Sequence, residues 1–434
     1  MGDIVVVGSG MAGLGASRRL RNEGRQHRVL DGSAHPGGHT RSFESNGFWF
    51  DEGPHLSFSD NDDFKKMLDD SVEGITTTKA AVNNLWQGHW ITHPAQANLH
   101  GLPPAIVADC INDYVTAKNN PPAEHLKNYE EWLLASFGET FARTFPMEYG
   151  ERYHTAHASQ MSTDWLGPRL YQLDLHEMLV GALDPNPADV HYISEIRYPT
   201  AGGFQTFIDP LLAETSIESN KRVTSVDPDA KTLELADGET VAFDHLVSSM
   251  PVPDLVAMIT SAPGDVREAA SKLADTKVVT VNIGVAREDL SDAHWTYFYD
   301  RDLTMVRNSY PHMWSPGTAP DGCGSVQAEL YYSDKYRPLD VDPQELIEPT
   351  RLDLVRCGIL REDDEILVSE ARLVSHANII FDLDRVECLP VVNDYLASIG
   401  VESVGRFGEW GPHWTDQSFV SGEDGAQRAL DATR

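Results

Sequence analysis

Residues 3–31 constrain the fold of this chain more than any other segment. Residues 3–8, DIVVVG, form a short β-branched run that suits a strand buried on both faces, and SGMAGLGASRRLRNEG continues at helical period with Leu14 and Leu20 among its apolar positions. Between strand and helix, Gly8, Gly10 and Gly13 give the spacing Gly-x-Gly-x-x-Gly. The first glycine permits a tight turn, the second lets backbone approach a pyrophosphate, and the third lets helix and strand pack closely. The helix N-terminus then turns its positive dipole end toward the diphosphate. Residues 28–31, RVLD, read as the second strand. They end in Asp31, about twenty positions beyond the glycines, where a carboxylate accepts adenosine ribose hydroxyls and disfavours a 2′-phosphate. The segment predicts a dinucleotide site that excludes NADP; FAD and NAD stay open on these residues alone.

Composition bounds the rest. With 434 residues, 41% of them hydrophobic, the chain fills roughly two to four domain-sized units. Lys+Arg 34 against Asp+Glu 67 leaves a net charge of −33, which repels a phosphate backbone and argues against nucleic acid as a partner. Cys110, Cys323, Cys357 and Cys388 stand tens of residues apart with no Cys-x-x-Cys pair, so neither a zinc ribbon nor a disulfide framework is expected. The close pairs His89/His93 and His154/His157 have metal-like spacing, but Pro94 breaks the first and the second lacks a third ligand, so no metal is expected. A strand beginning at residue 3 leaves no room for a leader, Val6 stands where a myristoylation signal needs Ser or Thr, and no run approaches 18 apolar residues. The expectation is a cytoplasmic protein without stable membrane insertion, of undetermined oligomeric state.

After Asp31 comes GSAHPGGHTRSFESNGFWFDEGPH. This stretch resembles the flavin amine oxidase, protoporphyrinogen oxidase and UDP-galactopyranose mutase superfamily of FAD enzymes. Its Gly-Gly-x-x-Arg-Ser element matches Gly37, Gly38, Arg41 and Ser42, and the resemblance makes Gly37, Gly38 and Arg41 cofactor contacts. Glycines suit a backbone that must pass close to a cofactor. The family usually has Arg or Asn after the glycine pair; here it is His39, counted with the cofactor residues. Gly53-Pro54-His55 matches a Gly-x-His segment of the mutase-like branch, which puts His55 near the isoalloxazine ring.

The likeness continues at scattered points over most of the chain. Residues 93–102 resemble the mutase branch's Pro-x-Gln-x-Asn-Leu stretch, and residues 128–145 its aromatic-Glu-x-Trp-Leu helix, in which Leu133, Phe137 and Phe141 step by four along a core-facing stripe. Ser162-x-x-Trp165-x-x-x-Arg169 resembles an element whose arginine points toward the substrate pocket. Residues 198–214 resemble the segment that returns the chain to the FAD domain, and the resemblance has the Val223 backbone contact adenine. Asp237-Gly238 is a hairpin turn by composition. An arginine at the pocket is implied at Arg307, and the planar fork of arginine suits anionic or multiply hydroxylated substrates. Residues 405–430 resemble the C-terminal Gly-Arg-x-Gly element followed by a helix. That carries Gly405, Glu409, Trp410 and Ser418 over to the cofactor, with the helix starting near Ser418 and aiming its amides at the flavin. Many relatives have Tyr in place of Trp410, and Asp-Met in place of Asp416-Gln417.

The matches imply an α/β fold: a discontinuous Rossmann-like FAD-binding domain from residues 1–80, 195–275 and 400–434, with an inserted α+β substrate domain from 81–194 and 276–399. The active site is expected between them. The implied activity is that of an FAD-dependent oxidoreductase taking a hydride from a small polar substrate, of sugar or nucleotide-linked type, with His55 as base and Arg169 and Arg307 as clamps. The alternative is a non-redox sugar-nucleotide mutase in which reduced FAD is the nucleophile and the same arginines hold a diphosphate. A flavin-binding protein without turnover is the third reading.

Overall fold

The computed structural model describes residues 3–122, 125–167, 170–186, 190 and 195–433. Two sheets organise them. The first has five strands, all parallel, in the order Val401–Ser403, His245–Ser248, Ile4–Val7, His27–Leu30, Ile217–Glu218. Its β-branched strands bury both faces: Ile4, Val6, Val29 and Val247 pack on one side, Val5, Val7, Leu30 and Leu246 on the other. The first helix, Met11–Asn22, and the last, Thr415–Ala432, lie against each other and meet at glycines. A methyl on Gly15 would stand 2.1 Å from the Phe419 carbonyl, and one on Gly422 1.9 Å from that of Ala12. The expected hairpin is present: Thr232–Leu235 and Thr240–Ala242 pair antiparallel, with Gly238 at φ +88° in the turn.

The second sheet has seven strands in the order Ile366–Ile379, Asp275–Val285, Gly324–Tyr332, Arg307–Ser309, Trp295–Phe298, Val82–Trp86, His89–Thr92. Every neighbouring pair is antiparallel except Trp295–Phe298 with Val82–Trp86. Short helices from residues 104–183 cover it through a cluster that includes Tyr129, Leu133, Phe137, Phe141 and Phe145.

Here one expectation is corrected. The stripe at 133, 137 and 141 is buried, but it runs along two helices, Tyr129–Phe137 and Glu139–Thr144. Gly138 separates them at φ +79°, where any Cβ would come within 2.4 Å of the Asp113 backbone. The periodicity of apolar residues registers the common face and is blind to the break.

No helix among the described residues is long and apolar enough to cross a membrane.

Candidate active site

A cavity of about 700 Å³ opens where the carboxyl ends of the parallel strands face the second sheet. Residues just past four of those strands line it: Gly8, Asp31, Ser249 and Gly405. Ligand crevices of open parallel sheets form at this end.

The dinucleotide end is made of backbone. Gly8 turns the chain at φ +94° and donates its N–H to the Leu30 carbonyl at 2.8 Å. A methyl on Gly13 would lie 1.9 Å from the Gly8 carbonyl, so helix and strand touch only because none is there. Gly10 caps the helix without a side-chain bond, and the first intrahelical bond runs from the Leu14 N–H to Gly10. The amides of Met11, Ala12 and Gly13 therefore start the helix without an intrahelical acceptor, as an anion site requires. A Cβ on Gly38 would come within 2.9 Å of the Gly10 Cα, so the two glycine loops lie back to back. Asp31 accepts the Ser9 N–H at 2.9 Å, the Ser9 hydroxyl and the Ser33 N–H at 2.7 Å, which fixes its carboxylate at the cavity wall. Gly37 donates to the Ser9 hydroxyl at 3.2 Å. Arg41 braces this loop from behind, on Glu52 at 2.6 Å and Ser33 at 2.9 Å, and does not line the cavity.

His39 and His55 both line the cavity. Burial, aided by the charges of His55, His376 and Arg406, pushes His39 down to about 3. Burial likewise pushes His55 down to about 4, against its bond to the Gly53 carbonyl. That bond, from Nδ1 at 2.5 Å, fixes the neutral tautomer and leaves Nε2 as the lone-pair nitrogen. Beneath the loop, buried Asp51 accepts from Ser42, Tyr198 and the Phe204 amide at 2.6, 2.9 and 3.0 Å.

The C-terminal element brings Gly405, at φ +76°, to within 2.5 Å of Ala12 Cβ for any added methyl. Arg406 bridges the two sheets, donating to the His413 carbonyl at 3.0 Å and Asn378 Oδ1 at 2.8 Å. The last helix starts at Thr415, three residues before the expected Ser418, because the Gln417 side chain caps the Trp414 amide at 3.0 Å; Ser418 sits in its first turn on the cavity wall. Glu409 accepts the Ser421 hydroxyl and does not line the cavity. Nor does Trp410, whose ring is buried in the core and whose carbonyl accepts from Arg385 at 2.9 and 2.8 Å. Val223 is also off the cavity wall, in a strand paired with Leu235, although the neighbouring Lys221 amide holds the Asp31 carbonyl at 2.8 Å.

The other end is made of side chains. Arg307 and Glu329 face each other across adjacent strands and join through two bonds, Nε to Oε1 and Nη2 to Oε2, both 2.7 Å. The Tyr331 hydroxyl also donates to Glu329, and the Tyr153 ring lies 5.8 Å from the guanidinium. Tyr149, Tyr297 and Tyr299 complete an aromatic wall. Burial raises the Tyr149, Tyr297, Tyr299 and Tyr331 hydroxyls, so they are neutral donors. His376 lines the cavity as a cation: its bonds to Asp254 at 3.3 Å and Asp275 at 2.6 Å outweigh burial and hold it at about 9.

The geometry therefore brings together His55, Arg307, Gly8, Gly10, Asp31, Gly38, His39, Gly405 and Ser418. Arg169 lies outside the described residues. Glu329, the tyrosines, Arg406 and His376 escaped sequence reading. A signal existed for Glu329, a carboxylate between Ala328 and Leu330 in the strand-like run GSVQAELYY, and Arg406 stood inside the Gly-Arg-x-Gly element.

A parallel sheet whose carboxyl edge carries a glycine-rich turn and a carboxylate, facing a largely antiparallel sheet across one cavity, is the architecture of dinucleotide-binding enzymes. The family model for flavin-containing amine oxidoreductases matches residues 11–380, and the chain belongs to that family. Its cofactor is accordingly FAD, and its substrates are small molecules. Among solved structures, reduced UDP-galactopyranose mutase is 26% identical with a TM-score of 0.93, covering 100% of this chain and 94% of the other. A putative protoporphyrinogen oxidase from Exiguobacterium sp. 255-15 is 14% identical, TM-score 0.76, covering 100% and 99%. Putrescine oxidase is 15% identical, TM-score 0.67, covering 99% of each chain. The last two share the fold.

Proposed function

We propose that this chain rearranges a nucleotide-linked sugar without net redox change, as a mutase of the UDP-galactopyranose kind. The observation that carries this reading is the likeness to the mutase over the whole of this chain, at 26% identity and a TM-score of 0.93, against 14–15% and 0.76 or lower for the two oxidases. The helix N-terminus beside Gly10 and Gly38 would hold the FAD diphosphate, Asp31 the ribose, and His39, His55 and Ser418 the ring end. Reduced FAD supplies a nucleophilic nitrogen, and oxidised FAD a hydride acceptor.

The residues of the chain bind and orient. The Tyr149 and Tyr297 hydroxyls would donate to sugar oxygens, those of Tyr299 and Tyr331 being spent on Asn84 and Glu329, and the aromatic wall excludes water. Arg307 spends Nε and Nη2 on Glu329, so Nη1 is its donor for a phosphate oxygen. Neutral His55 holds Nε2 as an acceptor without adding charge.

One observation favours the second reading, hydride transfer from a polar substrate. Glu329 neutralises Arg307, which weakens the pull on a diphosphate.

The test is anaerobic incubation with UDP-galactopyranose, before and after dithionite reduction, followed by chromatography of the sugar. Isomerisation that requires prereduced protein and consumes no reductant supports the mutase. Bleaching of oxidised flavin by substrate, with no isomer formed, supports the oxidoreductase instead.

A further inference from the structure

A second cavity, of about 250 Å³, lies behind the wall that carries Arg307 and Glu329. Alternation along the strand Gly324–Tyr332 creates it: Glu329 lines the first cavity, Leu330 and Tyr332 line the second, and Tyr331 borders both. Three arginines converge there, Arg152, Arg301 and Arg337, with one acid, Glu151.

The charges do not balance. Arg301 is shared between Glu148 at 2.6 Å and Glu151 at 2.9 Å. Arg152 is only 5% exposed and donates to three neutral acceptors, the carbonyls of Phe298, Leu303 and Met305, at 2.8, 2.8 and 2.7 Å. Among the described residues no carboxylate stands within ion-pair distance of it. Burial pulls its guanidinium down to about 10 against the charges of Glu148 and Asp300, and the charge of Arg337 pulls the same way as burial. Arg337 is half-buried and its backbone is tied to Ser333 at 2.8 and 3.2 Å, while its side chain makes no hydrogen bond or ion pair among the described residues. Three guanidinium groups thus stand against two carboxylates, Glu148 and Glu151, around one concavity, an excess of one positive charge on a chain with a net charge of −33. Buried charge is ordinarily paired, and like charges held together cost free energy until a counter-ion joins them.

We propose that this second cavity binds a compact oxyanion of the phosphate or sulfate class, gripped by the Arg337 fork in the field of Arg152. The fork geometry of arginine matches such an anion through paired hydrogen bonds. The occupant is either free phosphate or the phosphate group of a small metabolite.

Equilibrium dialysis of the full-length, flavin-loaded protein against radiolabelled inorganic phosphate, at ionic strength fixed with sodium chloride, tests this. One saturable site per chain is expected, displaced by sulfate. Arg337→Gln is expected to weaken it at least tenfold, as loss of a charge-assisted bond requires, and Arg337→Glu to abolish it, both with flavin content unchanged. Phenyl phosphate competing more strongly than inorganic phosphate identifies a phosphorylated metabolite as the occupant, and weaker competition identifies the free anion. Absence of saturable binding overturns the proposal. Binding that survives Arg337→Gln and Arg337→Glu also overturns it, because the phosphate then occupies the first cavity.

Discussion

The two ends of the large cavity are built from different materials. At the dinucleotide end the chain removes side chains: Gly8, Gly10, Gly13 and Gly38 bring backbones into contact and leave helix amides facing inward. At the substrate end it crowds side chains together, with an ion pair, tyrosine hydroxyls and aromatic rings drawn from strands and helices far apart in sequence. A backbone site recognises what all members of a cofactor class share, a diphosphate. A side-chain site recognises what distinguishes one substrate from another, and exchanging a few residues changes it without disturbing the fold.

The contrast breaks most sharply at Gly13. Gly13→Ala places a methyl 1.9 Å from the Gly8 carbonyl, and helix and strand must part. The cost is at least the ~1–3 kcal/mol of an overpacked core, and purified protein is expected to carry little or no FAD by absorbance. Gly10→Ala meets nothing closer than 3.7 Å. It should keep apo stability near wild type while lowering FAD affinity, since its methyl enters the space of the diphosphate. Equal apo stabilities for the two variants would remove the distinction between a packing glycine and a cofactor glycine.

At the other end the largest effect belongs to Glu329. Glu329→Gln leaves the Arg307 charge without its carboxylate, and breaking such a pair costs about 3–5 kcal/mol when buried. Arg307→Met combined with Glu329→Leu should recover much of that loss in urea titrations while flavin content stays normal. Single and double variants of equal stability would show that the pair is not a coupled unit.

This contrast also decides what was legible in the sequence. Gly8, Gly10 and Gly13 announced themselves because strand, turn and helix follow one another within a single short segment, and Gly37 and Gly38 through the family's Gly-Gly-x-x-Arg-Ser element. Glu329 and Arg307 are 22 residues apart and meet only through strand register, which no single-chain periodicity reports. The parallel sheet was readable from its β-branched strands, whereas the break at Gly138 depends on a neighbour, Asp113, from another helix. Resemblance assigned the loop of Glu409 and Trp410 to the cofactor but did not tell which way their side chains point.

The cavity histidines give two titrations of opposite sign. His39 and His55, held at about 3 and about 4, stay neutral in the folded chain while unfolded imidazole protonates near 6.5. The unfolded state then binds more protons, so stability falls as pH drops from ~6.5 toward 4 and below. His376 has the opposite sign. Held at about 9, it contributes stability that is complete below ~6.5 and lost as pH rises toward 9. Urea midpoints of apo protein between pH 4 and 10 should show both limbs. His55→Asn should shallow the acid limb alone and His376→Asn the alkaline limb alone; a His376→Asn protein that keeps its alkaline decline contradicts the assignment.

The smallest effect sharpens the boundary of the cofactor end. Trp410 stands in a loop that family likeness assigns to the flavin, yet its ring packs 6.1 Å from Phe407 in the core, and its carbonyl anchors Arg385, which also reaches Asp164 at 2.7 Å. Replacing it by Phe removes packing volume and leaves the carbonyl in place. The expected loss is roughly 1–2 kcal/mol of stability, the scale of partial core truncation. The visible flavin spectrum should not shift, and FAD affinity should stay within about twofold, far below the tenfold that each ~1.4 kcal/mol of lost binding would produce. A displaced flavin band in the Trp410→Phe protein would move the cofactor boundary outward to include this ring. An unshifted band with lowered stability keeps the ring-facing wall at Gly405, Ser418 and the two histidines, where backbone and neutral groups dominate.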